Sequence, residues 1–139
     1  MIDPSLIRDP FIESFLGKPC FQLNPCDHAS NLFQSGDSAF VYTKVKTSNI
    51  TDISRLEQIG FNLIDTNIQL QRSTSGSWDE RDIPSSCRIE LAEPSDLQDV
   101  ERIAASSFLF SRFHLDPKIE DSVANEIKRQ WATNFFAGK

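Results

Sequence analysis

The stretch from Cys87 to Gly138 decides the predicted fold, and it runs CRIELAEPSDLQDVERIAASSFLFSRFHLDPKIEDSVANEIKRQWATNFFAG. Its first residues alternate, with Ile89 and Leu91 on one side and charged residues on the other. Alternation with a period of two is typical of a half-buried strand, so we predict a strand over 87–93.

Two amphipathic helices are predicted after this strand. The first begins at Pro94, which suits an opening helical turn, and reaches about Phe108. A loop over 110–117 separates it from a second helix over about 120–136. Each helix has an apolar stripe at helical spacing, formed by Leu97, Val100, Ile103, Ala104 and Phe108 in the first and by Val123, Ile127, Trp131 and Phe135 in the second. The pattern predicts that both helices cover a sheet.

The upstream half predicts further strands and helices. A turn is expected at 8–10, a short strand at 20–23 and a short helix at about 28–36. The clearest strand is 39–46, in which Phe40 and Tyr42 share one face and Val41, Thr43 and Val45 make the other.

A helix is predicted next, capped by Thr51 or Asp52 and ending at Ile59, with Gly60 as the residue that lets the chain reverse. Residues 61–71 are then predicted to form a strand. Together 39–71 would form a strand–helix–strand crossover.

The predicted fold class is therefore mixed α/β (α+β). Its parts are an N-terminal α/β segment over 1–72, a Ser-rich linker over 73–86 and a strand–helix–helix unit over 87–139. A length of 139 residues suits one domain or two closely packed halves.

Composition excludes several classes of function. The net charge of −6 argues against a nucleic-acid partner. No apolar run approaches the ~20 residues that span a bilayer, and the N-terminus lacks the features of a secretory signal, so we expect no membrane partner and a cytoplasmic location.

Three cysteines without such a signal favour free thiols. Cys26 and His28 could contribute to a metal site, but two further ligands at suitable spacing are missing, so no metal is predicted.

The motif Pro-Ser-Asp-Leu-x-x-Val-x-x-Ile-Ala over 94–104, placed after a strand and before a second helix, resembles the start of a GNAT-type N-acetyltransferase domain. The sequence Ser-Arg-Phe at 111–113 and the late Trp131 are similar to the amino-sugar N-acetyltransferases of the TDP-fucosamine acetyltransferase family. Phe-Leu-Gly at 15–17 and the turn at 56–61 resemble the extra N-terminal segment of that family.

The resemblance implies a GNAT-like fold and transfer of an acetyl group from acetyl-CoA to the amine of a nucleotide-linked amino sugar. It also implies that the loop between the two helices binds the acceptor, through Ser111, Arg112, Phe113 and His114. Arg112 would hold a diphosphate or a carboxylate, because its planar fork suits such groups. His114 would serve as a proton acceptor. No catalytic residue is assigned.

The chain departs from the family at the cofactor site. The family holds the pyrophosphate of acetyl-CoA in a Gly-rich loop, and the glycines here, at 17, 36, 60, 76 and 138, lack that spacing. We therefore expect an N-terminal part or a shortened relative of such an enzyme, inactive alone, with the cofactor half absent. Its partners would be the nucleotide-sugar acceptor and either the C-terminal half of the same domain or a second copy.

Simpler interpretations of the same residues remain open. Arg112 could pair with Asp116 or Glu120, Phe113 could pack in the core, and His114 could be a solvated loop residue. The alternative function is a non-catalytic α/β binding or protein-interaction module that uses an exposed sheet edge. A third is a structural or regulatory domain built on Cys26 and His28.

Overall fold

The computed structural model describes residues 6–24, 38–71, 73, 84 and 86–138. Within these ranges the strands and helices, in chain order, are β1 (Leu6–Arg8), α1 (Pro10–Leu16), β2 (Cys20–Leu23), β3 (Phe40–Tyr42), α2 (Ile50–Gln58), a 3₁₀ turn (Pro94–Asp96), α3 (Leu97–Ser107), α4 (Arg112–Leu115) and α5 (Asp121–Phe136). This confirms the mixed α+β class.

The three strands form one small sheet in the order β1-β2-β3. β1 and β2 are antiparallel, with Leu6 opposite Leu23, and β2 and β3 are parallel, with Cys20 opposite Phe40. Because successive side chains of a strand point to opposite faces, Phe40 and Val41 enter two different apolar clusters. The predicted division of faces in this strand is therefore confirmed.

The larger apolar cluster joins the sheet to α1, α4 and α5. Its buried members are Ile12, Cys20, Phe113, Ile119, Ala124 and Ile127. Two of these precede residue 72 and four follow residue 87, so one core draws on both halves of the chain. Ile127 and Cys20 are fully buried. This packing fixes α4 and α5 against the sheet.

The second cluster places α2 on the opposite face. Leu23 and Leu56 are buried there, with Leu6, Val41, Val45 and Phe61 packed around them. Asn49 caps the helix, since its Oδ1 accepts from the Asp52 amide at 3.3 Å. The predicted caps, Thr51 and Asp52, were wrong by two or three positions. Gly60 follows the helix at φ 96°, where glycine is favoured, as predicted.

α1 was missed, because residues 8–10 were predicted to form only a turn. Asp9 is its N-cap, with Oδ1 accepting from the Ile12 amide at 3.0 Å, and Pro10 occupies the first helical position. Gly17 ends the helix with φ 62°. An Asp-Pro start and a Gly stop seven residues later form a standard helix signature.

The predicted strands over 61–71 and 87–93 are wrong. Neither segment is a strand, and neither pairs with β1, β2 or β3. Their apolar side chains are exposed, as in Leu70 at 93%, Ile89 at 80% and Leu91 at 94%. A strand needs a hydrogen-bonding neighbour as well as alternation, and the described residues provide none here. The crossover predicted over 39–71 is therefore absent.

The helices of the C-terminal unit begin and end close to their predicted positions. Glu93 N–H donates to Asp96 Oδ2 at 2.8 Å at the start of the 3₁₀ turn that leads into α3. The principal neighbour of α3 is α5 and not the sheet, which corrects the prediction that both helices cover a sheet. Ile103 and Phe108 in the predicted stripe remain about half exposed.

The predicted loop over 110–117 contains the short helix α4. The Ser111 carbonyl accepts from the amides of His114 and Leu115, at 2.9 and 3.0 Å.

None of the helices in the described part of the chain combines the length and apolarity needed to cross a membrane.

Candidate anion-binding site

α4 and its N-cap residue Ser111 hold the four predicted acceptor-binding residues next to the sheet and α5. Ser111 Oγ lies 2.7 Å from His114 Nδ1, and His114 Nε2 lies 2.9 Å from Asn125 Oδ1 on α5. An amide oxygen can only accept, so Nε2 donates to Asn125 Oδ1, and in the tautomer with its one proton there Nδ1 accepts from the Ser111 hydroxyl. His114 thus connects α4 to α5 and orients Ser111, and both of its ring nitrogens are engaged.

Arg112 is held by aromatic rings. Its Cζ lies 4.9 Å from the centre of the Tyr42 ring and 4.6 Å from that of Phe113. The alternative in which Arg112 pairs with Asp116 or Glu120 is not observed, and the ion pairs found among the described residues do not include Arg112. Stacking on rings fixes a guanidinium but leaves its N–H donors available at the edge of the plane.

Tyr42 is fixed in turn by Asp9. The phenol donates to Asp9 Oδ2 at 2.7 Å, and Gln22 Oε1 lies 3.5 Å away. Burial, together with the hydrogen bond and negative charge of Asp9, raises the pKa of Tyr42 to about 12. The positive charge of Arg112 and, to a smaller extent, a side-chain hydrogen bond from it lower the pKa of Tyr42. Asp9 therefore caps α1 and positions the ring against which Arg112 stacks.

Lys128 on α5 is a second cation beside Arg112. Its Nζ lies 4.6 Å from the Trp131 ring centre, 5.1 Å from that of Phe108 and 5.6 Å from that of Phe113. Burial and, second, the positive charge of Arg112 lower the pKa of Lys128. Lys128 is also absent from the ion pairs formed by the described residues. We call Arg112 and Lys128 the cation pair.

Phe113 is the buried aromatic residue beneath the cation pair. It is only 4% exposed and belongs to the larger core cluster, and its ring contacts that of Trp131 edge to face at 5.6 Å. Phe113 therefore serves as the ring that both members of the cation pair approach. Among the four predicted residues it is the buried one, whereas Ser111, Arg112 and His114 are partly exposed.

Sequence reasoning named the α4 residues but missed Lys128, Tyr42 and Asp9. Lys128 and Trp131 are three residues apart on one helix, a spacing that places a cation beside a ring. That local signal could have identified Lys128. Asp9 and Tyr42 are 33 residues apart and meet only through the sheet, so no local pattern indicates their contact.

Elsewhere in the described part of the chain, one groove and the metal-ligating side chains are further candidates for a site. A groove of about 250 Å³ between the start of α3 and the end of α5 is lined by Pro94, Leu97, Thr133, Phe136 and Ala137 and is almost entirely apolar. Across the residues that the structure describes, no three His, Cys, Asp or Glu side chains are grouped to hold a metal ion. Cys26 and His28 lie outside the described residues.

Comparisons of the chain with protein-family models, with curated proteins and with solved structures gave no significant match. The resemblance to amino-sugar N-acetyltransferases therefore rests on its short sequence motifs.

Proposed function

We propose that this chain is the acceptor-binding N-terminal part of a GNAT-type N-acetyltransferase, or a shortened relative, that acts on the amine of a nucleotide-linked amino sugar. Two lines of support meet on α4. The Ser-Arg-Phe motif at 111–113 resembles the acceptor loop of that family. Its Arg112 lies with Lys128 beside the Phe113 ring, and neither cation has an acidic partner within the described part of the chain.

The observation that carries the proposal is that Arg112 stacks on aromatic rings and has no acidic partner among the described residues. Its guanidinium is half-buried and stacked on Tyr42 and Phe113, and no carboxylate among the described residues pairs with it. A fixed guanidinium with available donors binds an anionic oxygen pair with little loss of side-chain freedom. The phosphate oxygens of a nucleotide-linked sugar supply such a pair.

The role of α4 in the proposal is to bind and orient the acceptor. Arg112 binds an anionic group, and the Ser111–His114–Asn125 chain of hydrogen bonds fixes the adjoining backbone and the Ser111 hydroxyl. Orientation of a bound amine is itself a large contribution to group transfer. Ser111 would contact the sugar through its hydroxyl oxygen, and His114 would position Ser111, because both of its ring nitrogens are already hydrogen-bonded.

Acetyl-CoA enters the proposal only as the donor of the complete enzyme. The described glycines Gly17, Gly60 and Gly138 lie at three separate helix ends, and each stands alone. They do not form a loop that would fit a pyrophosphate, so we assign no residue of this chain to acetyl-CoA.

A cytoplasmic location belongs to the same proposal, and the free thiols of Cys20 and Cys87 are consistent with it.

An Arg112→Gln variant should bind a nucleotide-linked amino sugar at least about tenfold more weakly than the wild type. The change removes charge-assisted hydrogen bonds worth about 1.5–3 kcal/mol, and about 1.4 kcal/mol corresponds to a factor of ten. Isothermal titration calorimetry measures the affinities. Arg102→Gln is the matched control, because Arg102 is on α3 and pairs with Asp99 at the surface. Equal affinities for Arg112→Gln and the wild type would contradict the proposal.

A second candidate function is a protein-interaction module. It is favoured by the exposed apolar side chains of the unpaired segments 61–71 and 87–93, including Leu63, Ile68, Leu70, Ile89 and Leu91. Such surfaces mark contact sites when they are contiguous. Sedimentation over a concentration series tests it, and a dimer that Leu91→Glu dissociates would support it. A strict monomer at all concentrations would argue against self-association.

A further inference from the structure

We infer that Arg112 and Lys128 together bind the diphosphate group of the acceptor, with Lys128 as a second anchor that the sequence motif does not indicate. The inference rests on the proposed function for the identity of the ligand. It adds a binding residue from a different helix and a specific chemical group.

The first argument is geometric. α4 and α5 bring the two cations to one aromatic ring, with Arg112 Cζ at 4.6 Å and Lys128 Nζ at 5.6 Å from the centre of Phe113. Each cation has further rings beside it, Tyr42 for Arg112 and Trp131 and Phe108 for Lys128. Aromatic faces fix both charges in place without neutralising them.

The second argument is electrostatic. Two half-buried positive charges repel each other, and the lowered pKa of Lys128 reflects both its burial and the charge of Arg112. Glu126 on α5 and Glu101 on α3 both pair with Arg129 and not with Lys128. Within the described ranges no carboxylate neutralises the cation pair. An anion bound there would remove the repulsion, and ring-lined surroundings would strengthen the attraction.

The third argument concerns the shape of the anion. A guanidinium binds two oxygens of one group as a planar fork, whereas an ammonium binds as a compact point charge. A diphosphate offers oxygens on two phosphorus atoms, so that one phosphate can bind Arg112 and the other Lys128. A single carboxylate would leave one of the two cations without a partner. The pair therefore fits the diphosphate linkage of a nucleotide sugar best.

The experiment measures binding of inorganic pyrophosphate, a nucleoside diphosphate and a nucleotide-linked amino sugar by calorimetry at one low salt concentration. Lys128→Met keeps an unbranched apolar stem over the rings but removes the charge, and Lys128→Arg restores a charge. Lys118→Met is the matched control, because Lys118 is exposed in the turn between α4 and α5. Thermal melts of all variants show whether the fold is retained.

We expect Lys128→Met to weaken pyrophosphate and nucleoside diphosphate binding about tenfold, in the range of one lost charge-assisted contact. Lys128→Arg should recover most of the affinity, and Lys118→Met should match the wild type. Arg112→Gln combined with Lys128→Met should remove measurable pyrophosphate binding.

The outcomes separate this inference from the proposed function. If Lys128→Met binds all three ligands like the wild type while Arg112→Gln does not, the second anchor is refuted and the proposed function stands. If pyrophosphate binding depends on Lys128 but the amino sugar adds no affinity to the nucleoside diphosphate, the anion site stands and the proposed acceptor is refuted. If the wild-type chain binds none of the ligands, both fail.

Discussion

An Ile127→Ala variant is expected to lose about 4 kcal/mol of unfolding free energy, in the upper part of the range for buried Ile-to-Ala changes. Ile127 is 0% exposed and lies in the cluster that joins α1, the sheet, α4 and α5. Removing its side chain leaves a cavity lined by residues from both halves of the chain. Urea denaturation followed by circular dichroism measures the loss.

Ile89→Ala is the matched control, because the same atoms are removed from a side chain that is 80% exposed. Its effect should stay within about 0.5 kcal/mol. If Ile127→Ala does not fold at all, Ile127→Val provides a milder test, with an expected loss of about 1 kcal/mol. Losses as small as that of Ile89→Ala would show that α5 is not seated on this core.

An Asp9→Ala variant is expected to lose about 3 kcal/mol, because one carboxylate has two roles. Loss of its cap on α1 costs about 1 kcal/mol. Loss of the bond from the Tyr42 hydroxyl to a charged acceptor costs about 1.5–3 kcal/mol. Asp9→Asn is the control, since Asn is an equally good N-cap and should lose less. Urea denaturation of both variants gives the comparison, and equal losses would argue against a distinct contribution from the Tyr42 bond to the Asp9 carboxylate.

Tyrosine ionisation gives a separate pH-dependent test of the same contact. The chain has a single tyrosine, so tyrosinate absorbance reports Tyr42 alone. In the folded protein its pKa is about 12, against an ordinary value of 10. Asp9→Ala should lower the midpoint but leave it above 10, because burial, the larger cause, remains.

The sign of the linked stability change follows from proton uptake. Between pH 10 and about 12 the unfolded chain has lost the phenol proton while the folded chain keeps it, so unfolding free energy falls as pH rises through this window. Below pH 10 the contribution is fully present. Tyr42→Phe should lack this fall. A wild-type midpoint near 10 in the folded protein would contradict the half-buried Tyr42–Asp9 contact.

Elements with strong local signals could be predicted from the sequence. The strand at 20–23 and the helices α2, α3 and α5 were predicted within a few residues of their observed bounds. The strand predicted over 39–46 is present only as Phe40–Tyr42. α1 also had a local signal, from Asp9-Pro10 to Gly17, but it was interpreted as a turn. The signals for all of these helices and strands, including the missed α1, come from residues close together in the sequence.

Strand pairing could not be predicted in this way. Residues 87–93 and 40–42 both show alternating side chains, yet only 40–42 has a partner strand within the described residues. Alternation says which face a side chain would occupy, whereas pairing depends on a distant segment that supplies the hydrogen bonds. The strand over 87–93 was predicted from alternation alone, and nothing in the sequence of that segment shows whether a partner strand exists.

In the candidate site, too, residues close together in the sequence could be predicted, whereas their distant neighbours could not. Ser111, Arg112, Phe113 and His114 are consecutive and carry the motif, so they could be named from the sequence. The surroundings that define Arg112 come from β3 and from α5, 70 residues before it and 16 after it. The Tyr42 ring and the unpaired Lys128 change the interpretation of Arg112 from a surface cation to one of a pair.

The most direct test of the central claim is a two-dimensional amide NMR titration of the chain with a nucleotide-linked amino sugar. The account predicts shift changes concentrated in residues 111–114 and around Tyr42 and Lys128, with those in Arg112→Gln reduced at equal ligand concentration. The amides of Leu97, Thr133 and Phe136, which line the apolar groove, serve as an internal control and should not shift. Changes confined to that groove, or none at saturating ligand, would contradict acceptor binding at α4.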